Sequence, residues 1–190
     1  ELKINFITGA GHKFHGPKGV GFLYINGDTK IKPLIYGGAQ ERNMRGGTEN
    51  VYGIAGIAKA LEIAYRDMEA HHNYIQGLKT YMIDELKKAI PDVQFNGDIN
   101  PSNSLYTVLN VSLPCTGMSD MLLFNLDMSG MSASGGSACS SGSAIGSHVL
   151  QGLKSDPDRP SVRFSFSKLN TKEEIDHVVT KLKEICESTF

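Results

Sequence analysis

A lysine in a glycine-rich turn and a cysteine in a stretch almost without side-chain bulk are the residues best placed for covalent chemistry. Gly11-His12-Lys13-Phe14-His15-Gly16-Pro17-Lys18-Gly19 follows an apolar run. Ser134-Gly135-Gly136-Ser137-Ala138-Cys139-Ser140-Ser141-Gly142-Ser143 holds the cysteine. A neutral lysine amine forms a Schiff base with an aldehyde, and a thiolate attacks sulfur or carbon. Together they point to covalent chemistry on an amino acid, with an aldehyde cofactor on Lys13 and sulfur handled by Cys139.

Each segment alone also has an ordinary structural reading. A Gly-His-Lys turn is commonly a solvated strand connection. A Ser/Gly-rich stretch is commonly a flexible linker with an incidental cysteine. Small residues nevertheless let backbone N–H groups approach an anion, and a free cysteine outside any core pattern has a use if it must swing between two positions. Arg45-Gly46-Gly47-Thr48-Glu49-Asn50 precedes a helical pattern, where Thr or Asn serves as an N-cap or as part of a phosphate site. Arg163 alternates with Val162 and Phe164, so it leaves a strand on the face opposite the apolar one. It is a surface arginine or a bidentate carboxylate ligand.

The elements that must position these groups follow from periodicity. Leu2, Ile4 and Phe6 alternate as a half-buried strand, and residues 20–25 form a more continuous one. Val51, Ile54, Ile57, Leu61, Tyr65 and Met68 give a helix. Ile75, Leu78, Met82, Leu86 and Ile90 resume the helical pattern up to Pro91, with a bend or an unbroken helix at His71-His72. Leu105, Thr107, Leu109, Val111 and Leu113 alternate as a strand, residues 119–126 read as a short helix, and Val162, Phe164 and Phe166 form a last strand. Thr171-Lys172-Glu173-Glu174 is a capping box opening a helix whose stripe is Ile175, Val178, Val179, Leu182, Ile185 and Cys186. Strands alternating with helices indicate an α/β chain with a domain boundary near residue 65.

Composition narrows the field. At 190 residues and 40% hydrophobic content, the chain can bury a normal core. A net charge of −1 leaves no electrostatic footprint for nucleic acid or anionic membrane. The longest apolar runs are too short to span a bilayer, and the first residues do not read as a signal peptide. Cys115, Cys139 and Cys186 are odd in number and lack a C-x-x-C pattern, which argues against a disulfide framework and a zinc site. A reducing cytoplasm is the expected compartment. There is no Walker A loop at Lys13, since His12 precedes it and Phe14 follows, and no H-E-x-x-H. The chain starts at Glu1 inside a strand-like pattern and reads as part of a longer polypeptide.

The segment from His12 to Gly19, followed by Gly21-Phe22-Leu23-Tyr24, resembles the lysine signature of cysteine desulfurases, the NifS/IscS-like branch of the class V aminotransferases. Arg45-Gly46-Gly47-Thr48, the Cys139 loop with Gly146-Ser147-His148-Val149-Leu150, and Ser161-Val162-Arg163-Phe164-Ser165 match further landmarks of that family in order. The resemblance implies a pyridoxal-phosphate-dependent transferase of fold type I. Residues 1–65 would be the end of the large cofactor domain, and 66–190 the small C-terminal domain. It implies that Lys13 bonds the cofactor aldehyde, that His12 contacts the cofactor phosphate, and that Thr48 reaches the phosphate bound by a neighbouring subunit, hence a homodimer. Arg163 would hold the substrate α-carboxylate, and Cys139 would take sulfur from L-cysteine as a persulfide. The sulfur would pass to an acceptor protein, such as an iron–sulfur scaffold or a thiolation protein, with release of alanine. One position departs: the family carries a phosphate-binding Ser three residues before the lysine, where this chain has Ala10. The family's ring-stacking and pyridine-pairing residues lie upstream of Glu1, so the isolated chain is expected to be inactive. Two alternatives stay open: another class V enzyme, such as a selenocysteine lyase or an aminotransferase, and a non-enzymatic sulfur carrier.

Overall fold

The structure is a computed structural model that describes residues 3–115, 121–135 and 147–187. The chain divides into two compact units, residues 1–68 and 69–190.

In the first unit, strand β1 (Phe6–Ala10) pairs antiparallel with β2 (Gly21–Ile25), from Phe6 opposite Ile25 to Ala10 opposite Gly21. A short 3-10 helix, Gly11–Phe14, connects them and carries Lys13. The strand thus begins where the alternation of Leu2, Ile4 and Phe6 ends, because the pairing runs into Gly9 and Ala10. Helix α1 (Val51–Arg66) is capped by Asn50, whose side chain accepts from the Gly53 N–H at 3.0 Å. Among the described residues of this unit, the buried ones are glycines: Gly11, Gly46 and Gly53. Its apolar strand residues are open on both faces, with Phe22 46% and Leu23 53% exposed. A run apolar on both faces is the pattern of a strand covered on both sides.

Helix α2 (Met68–Ala89) follows after Asp67. The helical break therefore lies at Asp67, and His71 and His72 fall inside α2. The second unit holds the hydrophobic core. A three-stranded antiparallel sheet has the order β3 (Gln94–Phe95), β4 (Val108–Ser112), β5 (Ser161–Ser165). Leu109 and Val111 of β4 share a core with Val162 and Phe164 of β5. Leu78, Met82 and Leu86 of α2 close it, with Leu122 and Leu126 of α3 (Leu122–Met128). Ile175, Val179, Leu182 and Cys186 of α5 (Lys172–Glu187) complete it. Helix α4 (His148–Gly152) is one short turn capped by Ser147. Strand β4 is shorter than the 105–113 alternation, and Leu105 is exposed. Instead its carbonyl accepts from the buried Lys79 amine at 2.9 Å, as the Ser104 hydroxyl does.

The expected capping box is present. The Glu174 N–H donates to Thr171 Oγ1 at 3.3 Å, and the Thr171 N–H donates to Glu174 Oε2 at 3.1 Å. These bonds satisfy donors that a helix start otherwise leaves open. Among the described residues, no helix is long and apolar enough to cross a membrane.

Candidate active site

The lysine turn is fixed by backbone. The Gly11 N–H donates to Val20 O and the Gly16 N–H to Gly11 O, each at 2.9 Å, and His15 closes the turn at φ 67°. Helix α1 backs the turn through small residues: a Cβ on Gly56 would lie 2.6 Å from the Pro17 ring, so only glycine allows this approach. Lys13 and His12 sit side by side on this rigid turn, both exposed. Neither makes a hydrogen bond or an ion pair with another described residue. Ala10 caps the turn without a side-chain bond. Thr8, two residues earlier on β1, shares its face.

The Arg45–Thr48 segment is held from behind. The Gly46 N–H donates to Ile35 O at 3.0 Å, and Gly46 lies so close to Gly37 that an added Cβ would be 2.7 Å from the Gly37 Cα. The Gly47 N–H donates to Gln40 Oε1 at 3.1 Å. Because Asn50 performs the helix capping, the Thr48 hydroxyl is exposed and not used for it. Of the two readings of this segment, capping belongs to Asn50.

Arg163 lies in the middle of β5, opposite Asn110. On the other edge it exchanges two backbone bonds with Ser134: its N–H donates to Ser134 O at 2.6 Å, and the Ser134 N–H donates to Arg163 O at 3.2 Å. Its side chain is half-buried, and its Nε is buried with no hydrogen-bond partner among the described residues. An unmet buried donor on a guanidinium costs about 1–3 kcal/mol, which an anionic ligand would recover. Cys139 lies outside the described residues. It follows Ser134 by five residues in the sequence, so the chain can carry it at most ~17 Å from its Ser134 anchor.

Sequence reasoning missed two positions. Lys79 is 2% exposed, and burial pushes its amine below the ordinary lysine range. It lies four residues after Ile75 and three before Met82, on the apolar stripe, and that position was the available signal. Arg159 donates to Ser112 Oγ (3.1 Å), Ser112 O (3.2 Å) and Asp92 O (2.6 Å), latching the loop before β5 to the end of β4. Nothing periodic marks it. Cys186 is in the core as its stripe position implies, and Cys115 is buried beside it.

Comparison with known proteins decides the family. The class V aminotransferase family model matches residues 1–178. The chain belongs to the class V aminotransferases. Within that family, it is 42% identical over 189 residues to the cysteine desulfurase IscS of Dictyoglomus turgidum, covering 98% of this chain and 47% of that protein. It is 40% identical to the putative cysteine desulfurase IscS 1 of Bacillus subtilis, covering 96% of this chain and 49% of that protein. Among solved structures, a NifS-like protein superposes with a TM-score of 0.84 at 32% identity, over 99% of this chain and 48% of the other. The NifS-like protein of Rickettsia africae gives 0.80 at 28%, over 97% and 48%. The fold is that of the NifS-like members of this class V family, as the resemblance of the lysine, cysteine and arginine segments implied. The chain spans about half the length of the curated relatives it matches.

Proposed function

We propose that this chain supplies the lysine, arginine and cysteine of a pyridoxal-phosphate-dependent cysteine desulfurase, acting within a protein of its relatives' full length. The observation that carries this reading is Arg163. Its buried Nε, without a partner among the described residues, lies on a strand bonded directly to Ser134, which precedes Cys139 by five residues. A carboxylate anchor bonded to the chain five residues before a sulfur nucleophile suits desulfuration of an amino acid.

The residues present also fit the cofactor. Lys13 offers an amine with no competing partner among the described residues on a turn fixed by backbone bonds, His12 stands beside it, and the Thr48 hydroxyl is not spent on capping. His12 and Thr48 would hold the phosphate, with Thr48 serving the site of a second copy in a homodimer. Ala10 contributes no hydroxyl, which leaves the phosphate more dependent on these two. Residues 1–68 would be the end of the large domain, whose remaining part would cover the open faces of β1 and β2. Residues 69–190 would be the small domain.

When bound, pyridoxal phosphate withdraws electrons from the amino acid and loosens the bonds at its Cα. Arg163 binds the α-carboxylate through its planar fork and fixes which bond faces the base. The Lys13 amine takes the Cα proton and returns a proton during product formation. The Cys139 thiolate attacks the substrate sulfur: an S–S bond forms, the Cβ–S bond breaks, and Cβ gains a proton as alanine is produced. Cys139 is left as a persulfide, whose outer sulfur passes to the thiol of an acceptor protein. Such thiol chemistry suits the reducing cytoplasm.

In the complete protein, Lys13→Ala and Cys139→Ser should each abolish alanine formation from L-cysteine. Persistent turnover of L-cysteine by Cys139→Ser would transfer the assignment to another class V reaction that needs no enzyme thiol. Retention of persulfide transfer by Lys13→Ala when a persulfide donor is supplied, with no turnover of L-cysteine by the parent, would make the protein a sulfur carrier. The 190-residue chain alone is expected to release no alanine.

A further inference from the structure

Cys115 and Cys186 stand 71 positions apart in sequence, yet the fold brings their sulfur atoms to 2.9 Å, the Cys186 thiol donating to Cys115 Sγ. Cys115 ends the short stretch after β4, and the Leu113 N–H two residues earlier is tied to Pro160 O at 2.9 Å. Cys186 lies in the last turn of α5, with Leu182 one turn before it in the core. Cys115 is fully buried and Cys186 5% exposed. A cavity of about 190 Å³, lined by Ile90, Pro91, Pro114, Lys183 and Cys186, opens at the Cys186 side of the pair, while Cys115 lies behind it. It has room for a molecule the size of hydrogen peroxide. Nothing in the desulfurase reading uses either sulfur.

We infer that Cys115 and Cys186 form an oxidisable dithiol that closes to an internal disulfide on reaction with a hydroperoxide. The inference stands on the geometry of the second unit and is independent of the proposed activity. In the first step, one thiolate attacks the O–O bond; an S–O bond forms and hydroxide leaves, taking up a proton as water. In the second, the other thiol attacks the sulfenic sulfur, the S–S bond forms and a second water departs. Two thiols and one peroxide thus give one disulfide and two waters. Bringing the sulfurs from 2.9 Å to bond length is a shift of about 1 Å, within reach of side-chain rotation.

The electrostatics favour the first step. The hydrogen bond from Cys186 is the largest influence on Cys115 and holds its thiol below the ordinary range, with the Arg159 guanidinium adding positive potential, while burial opposes both. The Cys186 proton is correspondingly held far above it, first by that same hydrogen bond. A thiolate hydrogen-bonded by its neighbouring thiol is the pairing a resolving reaction needs.

The test is peptide mapping of the complete protein after treatment with hydrogen peroxide and alkylation of remaining thiols under denaturing conditions. The expected result is one species joining the Cys115 and Cys186 peptides, lighter by two hydrogens and split by reductant. Oxidised protein should also melt at a higher temperature than the reduced form, and Cys186→Ala should give no such species. Recovery of both residues as alkylated thiols while Cys139 is oxidised would overturn the inference. Linkage of either to Cys139, or irreversible oxidation of one without a cross-link, would also overturn it. Because the mapping is done on unsubstituted protein, a folding defect in the variant leaves the test intact.

Discussion

Replacing Arg163 by methionine should separate substrate binding from folding. Among the described residues the Arg163 Nε is buried without a partner, and an unsatisfied donor of this kind costs about 1–3 kcal/mol. Methionine keeps much of the stem volume and carries no donor. Folding stability of the 190-residue chain should therefore be unchanged or rise by about 1 kcal/mol, which moves Tm up by roughly 2–4 °C. Ligand binding should move the other way. Two charge-assisted hydrogen bonds to a carboxylate are worth about 1.5–3 kcal/mol each, and a net loss of ~3 kcal/mol weakens L-cysteine binding roughly 150-fold. Spectroscopic titration of the complete protein with L-cysteine measures the second quantity, and thermal denaturation of the chain the first. Arg163→Lys should fall between, since a point charge replaces a fork. A Tm drop in Arg163→Met of several degrees, with L-cysteine affinity intact, would show the guanidinium to be a structural strut and refute the reasoning.

Other expectations concern the frame around the site. Thr171→Ala removes the side-chain acceptor of the α5 capping box and should cost about 1 kcal/mol in urea unfolding, with Thr171→Ser largely neutral. Hydrogen bonds from Asn170 and from the Thr171 backbone hold Glu174 below the usual carboxylate range. Since this group has its pKa depressed by folding, its contribution is present above the unfolded carboxylate pKa and is lost as pH falls through the folded value. Amide exchange in the first turn of α5 should accelerate on acidification through that range, and in Glu174→Gln this dependence should flatten. Lys79→Ala removes two hydrogen bonds and a buried stem, and should destabilise by about 3 kcal/mol in the same unfolding assay; a loss below about 1 kcal/mol would contradict its role as the anchor of the Ser104–Leu105 turn.

Where local signals and packing agreed, the sequence was readable. The last helix combined a capping box with an apolar stripe, and both are present in α5. The alternation around Arg163 put Val162 and Phe164 in the core and left Arg163 on the other side of β5. The first strand was displaced because β1 and β2 carry apolar residues on both faces, so alternation has nothing to report there. The break at Asp67 was hidden because apolar spacing runs on through Met68. Lys79 occupies a core position with a charged type, its stem buried and its amine met by Ser104 and Leu105, a partnership that only the tertiary fold creates. The Cys115–Cys186 contact is of the same kind: 71 residues separate two unremarkable cysteines until β4 and α5 pack together.

The central claim is that Cys139 receives the sulfur of an amino acid oriented by Arg163 and deprotonated by Lys13. Peptide mass spectrometry of the complete protein after brief exposure to L-cysteine measures this directly. The account predicts one added sulfur, about 32 Da, on the peptide bearing Cys139, removed by reductant and absent in Lys13→Ala. Sulfur on Cys115 or Cys186 instead, or sulfur on Cys139 at the same rate without the Lys13 amine, would contradict it.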